Sequence, residues 1–185
     1  MSHLTTFDRL KPRLIALILA ISLGLNTSTA SAATSEQALT VAFLYNFLKF
    51  SEWPEGTITG DITLCVTNSA VFGEELDAIS GRLAQNKTVR IKHIELGENT
   101  RECQLLFLPR EEKPVRIREW LKNTASTTTL TVSNMGEFLD MGGMIVLIDE
   151  SNRLQFEVNL ERVKSAGLKL SAQLLKIARD VRGKQ

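Results

Sequence analysis

The chain has 185 residues with 22 basic and 21 acidic side chains, a net charge of +1, and 43% hydrophobic residues. That is enough chain for one domain with a sizeable core, and too even a balance, with no lysine/arginine run, for nucleic-acid binding by bulk electrostatics. Collagen-like, coiled-coil and disordered compositions are excluded as well.

At the N-terminus Arg9, Lys11 and Arg13 precede the apolar run Leu14–Leu25, and a small polar stretch ends in Ala30-Ser31-Ala32-Ala33. A basic start, a twelve-residue apolar stretch and an A-x-A site form a secretory signal peptide over 1–32, cleaved after Ala32. The run is short of the roughly 20 residues that span a bilayer, and no cysteine follows it to carry a lipid. Cleavage removes three basic residues and Asp8, leaving 153 residues with 19 basic against 20 acidic. The exported product is then a near-neutral domain over 33–185.

Thr34 with Gln37 three residues on suggests a capping box. Leu39, Ala42, Phe43, Asn46, Phe47 and Phe50 recur at helical spacing, so 35–50 reads as an amphipathic helix that Trp53-Pro54 ends. Ile62–Val66 is a short β-rich run. Asn68 or Ser69 caps a helix over about 70–79, and Gly81 closes it. Val89, Ile91 and His93 alternate with Arg90 and Lys92 as in a half-exposed strand. Gly97-Glu98-Asn99 is a turn, and Leu105–Leu108 a buried strand stopped by Pro109.

Val115, Ile117, Trp120 and Leu121 mark a helix over 113–123, followed by a strand over 129–133 and a short helix at Met135–Asp140. Gly142-Gly143 leads into the apolar run Met144–Ile148, which pairs with Leu154–Val158 as a hairpin. Helices over 160–166 and 171–181 flank Gly167-Leu168-Lys169-Leu170. Strands alternating with helices predict a single α/β domain, with a mainly parallel sheet, helices on both faces and an antiparallel hairpin near the C-terminus.

Chemistry is sparse. His93 is the one histidine left after processing, and no pair of histidine, cysteine or carboxylate ligands at metal spacing accompanies it. Met141-Gly142-Gly143-Met144 lacks both the spacing and the following helix of a phosphate loop. Glu74-Glu75 and Glu111-Glu112 stand beside helix starts, where they complement the helix dipole. No enzyme, metal or cofactor is expected.

Cys65 and Cys103 are the informative pair. Two cysteines in an exported chain default to a disulfide, structural or redox-sensitive; the alternative is a Cys-His hydrolase with a free thiol beside His93. Cys65 falls late in its strand and Cys103 at the start of another, so their separation is the test of a bridge.

Three ordered stretches resemble the YfiR family of exported bacterial proteins. The first is Phe43-Leu44-Tyr45-Asn46-Phe47-Leu48-Lys49-Phe50 with Glu52-Trp53-Pro54. The second is Ile62-Thr63-Leu64-Cys65-Val66 with Cys103 ahead of Leu105-Leu106-Phe107-Leu108. The third runs from Gly142-Gly143-Met144-Ile145 through Phe156-Glu157-Val158-Asn159-Leu160 and Ala166-Gly167-Leu168-Lys169-Leu170-Ser171 to Leu174-Leu175-Lys176-Ile177-Ala178-Arg179. The likeness covers 36–181. It implies a non-enzymatic periplasmic α/β domain that holds an inner-membrane diguanylate cyclase inactive through its periplasmic sensor domain. An outer-membrane lipoprotein that sequesters the inhibitor and a homodimer are also implied. Cys65 and Cys103 match the family's long-range bridge, whereas a second cysteine pair of its type member, near Glu137–Met144, is missing here.

Inhibition requires that the partner's inactive state be bound better than its active one. The segment Gly167, Leu168, Lys169 and Leu170 is the candidate partner-binding surface; a core strand under the last helix is its alternative. A small-molecule-binding module with an apolar pocket is the competing function.

Overall fold

The computed structural model describes residues 35–67, 72–150 and 153–183. The segment read as a signal peptide lies outside them.

Helix α1 (Glu36–Phe50) starts at Ser35, whose Oγ accepts from the Ala38 amide at 3.0 Å. The cap is thus one residue beyond Thr34, which lies outside the described residues. Ten strands follow: β1 (Ser51–Glu52), β2 (Ile62–Val66), β3 (Leu83–Ala84), β4 (Lys87–His93), β5 (Leu105–Leu108), β6 (Leu130–Ser133), β7 (Ile145–Glu150), β8 (Arg153–Asn159), β9 (Lys169–Leu170) and β10 (Asp180–Arg182). Helices α2 (Pro114–Thr124), α3 (Leu160–Ser165) and α4 (Ala172–Ile177) complete the described elements.

Eight strands form one sheet in the order β10-β8-β7-β6-β5-β2-β4-β3. The run β7-β6-β5-β2-β4 is parallel, β8 turns back antiparallel on β7, and β10 lies parallel to β8. The expected α/β domain with a mainly parallel sheet and a late antiparallel hairpin is what forms.

Alternation along the strands divides the interior into two layers. Ile62, Leu64, Val66, Leu105, Phe107, Leu130, Val132, Ile145 and Leu147 pack with Val41, Leu44, Phe47 and Leu48 of α1. The intervening Cys65, Leu106, Leu108 and Val146 face the other way, onto Ile117, Trp120 and Leu121 of α2. Burial on both faces is why these strands read as continuous apolar runs. Phe43 and Phe47 meet Phe156 edge-on at 5.7 and 5.2 Å, tying α1 to β8.

Three expected helices come out differently. Among the described part of 70–79 only a 3-10 turn, Glu75–Ala78, forms. Met135–Asp140 is a chain of overlapping turns, with the Phe138 amide bonded to Met135 O and the Gly143 amide to Phe138 O. The expected 171–181 helix ends at Ile177. The Arg179 amide is then taken by Phe156 O at 2.8 Å, and the chain runs on as β10 along β8. A free strand edge offers more hydrogen bonds there than another helical turn.

The β3–β4 link, unforeseen in the sequence, is the two-residue turn Gln85-Asn86 with φ of 52° and 61°. Gln85 Nε2 donates to Leu48 O and Ser51 O, both at 2.6 Å, and so satisfies carbonyls left open at the end of α1.

Candidate interaction surface

Cys65 and Cys103 form a disulfide with a Cα separation of 5.6 Å. Strand register explains why the strand-end objection fails. Cys65 pairs with Leu106, but the chain bends before β5, where the Cys103 amide bonds to Thr100 O, and Cys103 folds back over β2. Gln104 fixes the approach by accepting from the Thr63 amide at 2.7 Å and donating its own amide to Thr63 O. Both sulfurs are buried beside Trp120 and Leu106. These are the chain's two cysteines, and with His93 exposed on β4 a thiol nucleophile paired with that histidine does not form.

The stretch Gly167–Leu170 follows α3 through a glycine-terminated cap. Gly167 has φ +76°, its amide bonds to Lys164 O, and the Leu168 amide reaches Val163 O. This pattern closes a helix with a residue that accepts the left-handed conformation, and it drives the next side chain inward. Leu168 accordingly packs in the same layer as Val163, and Leu170 is also buried, while Lys169 points to solvent. The strand they form, β9, pairs antiparallel with β1, Ser51 opposite Leu170 and Glu52 opposite Lys169, and the Ser171 amide bonds to Phe50 O at 2.9 Å.

Two of the stretches that carry the family resemblance, far apart in sequence, therefore meet in one clasp. Pro54 lies against Gly167, where a Cβ would stand 3.4 Å from its ring. Ser51 Oγ and Trp53 Nε1 are buried at this joint with no hydrogen-bond partner among the described residues. The clasp exposes Lys169, with the exposed Glu52 opposite it, and, beyond the Ser171 cap of α4, the largely exposed Ile177.

Other resembling residues hold architecture. Asn159 caps α3 by accepting from the Arg162 amide at 3.1 Å. Glu157 receives Arg179 at 3.4 Å and Arg182 at 3.7 Å, pinning β10 to β8. The Arg182 guanidinium is held above its usual pKa, chiefly by its hydrogen bond to Asp140. Gly143 lets the Phe138 ring lie against its backbone.

Concave features are small or open. The cleft at the carboxyl ends of β5 and β6, where Arg110 pairs with Glu36 at 3.3 Å and Glu111 at 3.4 Å, holds about 30 Å³. A second, between Gly142, Arg162 and Ala125, holds about 60 Å³. Small-molecule sites usually enclose roughly 300–1,000 Å³. A larger hollow of about 400 Å³ between α1 and the 3-10 turn is an open groove. No group of three metal-ligating side chains, and no helix long and apolar enough to cross a membrane, occurs among the described residues.

A family model described as YfiR/HmsC-like matches residues 37–179. No curated protein matches the chain.

Proposed function

The chain belongs to the YfiR/HmsC-like family, and from that membership we propose that it is an exported periplasmic protein that restrains cyclic-di-GMP synthesis. In this reading it binds the periplasmic sensor domain of an inner-membrane diguanylate cyclase and holds the enzyme inactive. An outer-membrane lipoprotein relieves the inhibition by sequestering it. The match over 37–179, nearly the whole described domain, is the observation that carries the reading. The surface fits this reading: the enclosed clefts hold only about 30 and 60 Å³, and the larger hollow of about 400 Å³ is an open groove.

The proposed contact is centred on the clasp, with Lys169 and Ile177 as the side chains that reach a partner. Leu168 and Leu170 act there by holding β9 in place. Inhibition demands differential affinity, so the surface must fit the cyclase's resting sensor domain better than its active form.

Deleting the gene should raise cellular cyclic-di-GMP, and complementation with Lys169→Glu should restore repression less well than wild type. Unchanged cyclic-di-GMP on deletion, with the cyclase shown to be expressed, refutes the proposal. Capture of solubilised inner-membrane proteins on the immobilised chain then identifies the cyclase.

A further inference from the structure

We propose that the groove between α1 and the 3-10 turn binds a short peptide, about four residues long, in extended form and with both termini free. The groove holds about 400 Å³, within the roughly 300–1,000 Å³ usual for ligand sites, but it is open to solvent. An extended chain suits such a trough better than a compact molecule that must be enclosed. The floor is apolar, formed by the buried Val41 and Ile79, and the small side chains of Ala38, Ala42 and Ala78 leave the space above it unfilled.

The two ends of the trough carry opposite charge. Where α1 begins, Glu75 accepts a hydrogen bond from Ser35 Oγ at 3.3 Å. Further along the helix, Lys49 and Arg82 flank the Tyr45 ring at 5.5 and 4.7 Å. Glu75, Lys49 and Arg82 all line the groove, and none of the three meets an opposite charge among the described residues. The rise of the helix from Ser35 to Tyr45 sets the negative and positive ends about 15 Å apart.

That pattern selects the ligand. An anionic amphiphile would lay its apolar end on Glu75, a cationic one would lay its own on Lys49 and Arg82, and a single amino acid is too short to reach both ends. Four residues of extended chain span about 13–14 Å, which puts the peptide's ammonium at Glu75 and its carboxylate at Lys49 and Arg82. Asn46, on the same wall, offers an amide N–H and a carbonyl to the peptide backbone. Alternate side chains of the peptide face the floor, where aliphatic ones are taken. Exposed ion pairs are weak and screened by salt, so the affinity is modest and falls as ionic strength rises. No lining residue of the groove belongs to β1, β9 or α4, so the site is separate from the clasp.

Calorimetric titration of the protein as the cell processes it with the tetrapeptide Leu-Ala-Ala-Leu tests this, using the free, N-acetylated and C-amidated forms. The free form should bind, and each cap should weaken binding at least about threefold. Glu75→Gln should bind the acetylated and free forms equally while still discriminating against the amide. Lys49→Met with Arg82→Met should do the converse. Ala42→Phe, at an exposed position, should fill the trough and abolish binding, and all three variants should keep the melting temperature of wild type. Absence of binding by wild type at millimolar peptide overturns the proposal. So does binding that is indifferent to both caps, or cap sensitivity that persists unchanged in the charge variants. None of these results bears on the cyclic-di-GMP reading, which the deletion experiment tests separately.

Discussion

Gly143→Ala should be among the most damaging conservative changes in this chain. A Cβ there would stand 2.2, 2.3 and 2.6 Å from Cε1, Cδ1 and Cζ of Phe138, against an ordinary carbon–carbon contact of about 3.5–4.0 Å. Ring or backbone must retreat by more than about 1 Å. Phe138 is fully buried in the layer that holds Trp120, Leu139 and the disulfide, so the ring has nowhere to go. Gly143 does not occupy the left-handed region, so the penalty is one of volume alone. Overpacking costs about 1–3 kcal/mol, and with so little room the upper end applies. For a domain of this length that lowers the melting temperature by roughly 6–12 °C.

Urea unfolding followed by tryptophan fluorescence is a suitable assay, since Trp120 lies in the affected layer. The mechanism also predicts coupling. Phe138→Leu alone leaves a void, yet combined with Gly143→Ala it makes space for the methyl. The double variant should be at least about 1 kcal/mol more stable than the sum of the single effects. A Gly143→Ala cost below about 0.5 kcal/mol, or strict additivity, would refute the reasoning.

Replacing Cys65 and Cys103 together by alanine should cost about 4 kcal/mol, the chain-entropy value for a 38-residue separation, and reduction of wild type should reproduce it; a loss under about 1 kcal/mol by urea titration would count against a structural bridge. Gln85→Ala should cost about 1–2 kcal/mol through two lost hydrogen bonds to the end of α1. Gln85→Gly should lie about 1 kcal/mol above the alanine variant, because glycine adopts the positive φ of that position freely. The reverse order in thermal melts would show that the positive φ of that position costs alanine nothing.

Where the sequence was legible, burial imposed a pattern on it. Ile62–Val66 and Leu105–Leu108 are strands with apolar residues at every position but Thr63, because both faces of the sheet are covered. Met135, Phe138 and Leu139 imitate a helical face for a different reason. Overlapping turns also bring them to one side, and all three are buried against α2. The segment from Lys176 to Val181 contains no breaker, so its change from helix to strand depends on the open edge of β8, which local sequence does not encode. Strands β1 and β9 are two residues each and are defined only by one another.

Of the candidate surface, the cysteine pair was readable from number and context, but its geometry depended on the bend at Thr100–Cys103. The alternation of Leu168 and Leu170 about Lys169 was visible too. That it marks an inward-facing strand followed only from the helix cap at Gly167, which turns Leu168 under α3. The open groove beside α1 had a sequence signal in the lack of charge on Ala38, Leu39, Ala42 and Asn46, masked by the stronger periodicity of the buried face.

The pairing of β1 with β9 also dictates the order in which the domain can be completed. Ser51 follows the first helix of the domain, while its partner Leu170 lies near the other end of the chain. A chain delivered N-terminus first presents α1 and β1 long before β9 exists. The disulfide spans 38 residues and can close while the rest is still arriving, whereas the clasp cannot close until β9 has arrived and the long intervening chain has been brought back to β1. Until then the apolar residues of α1 lack part of their cover. The interval between the two closures is when a chaperone has most to hold and a protease most to cut.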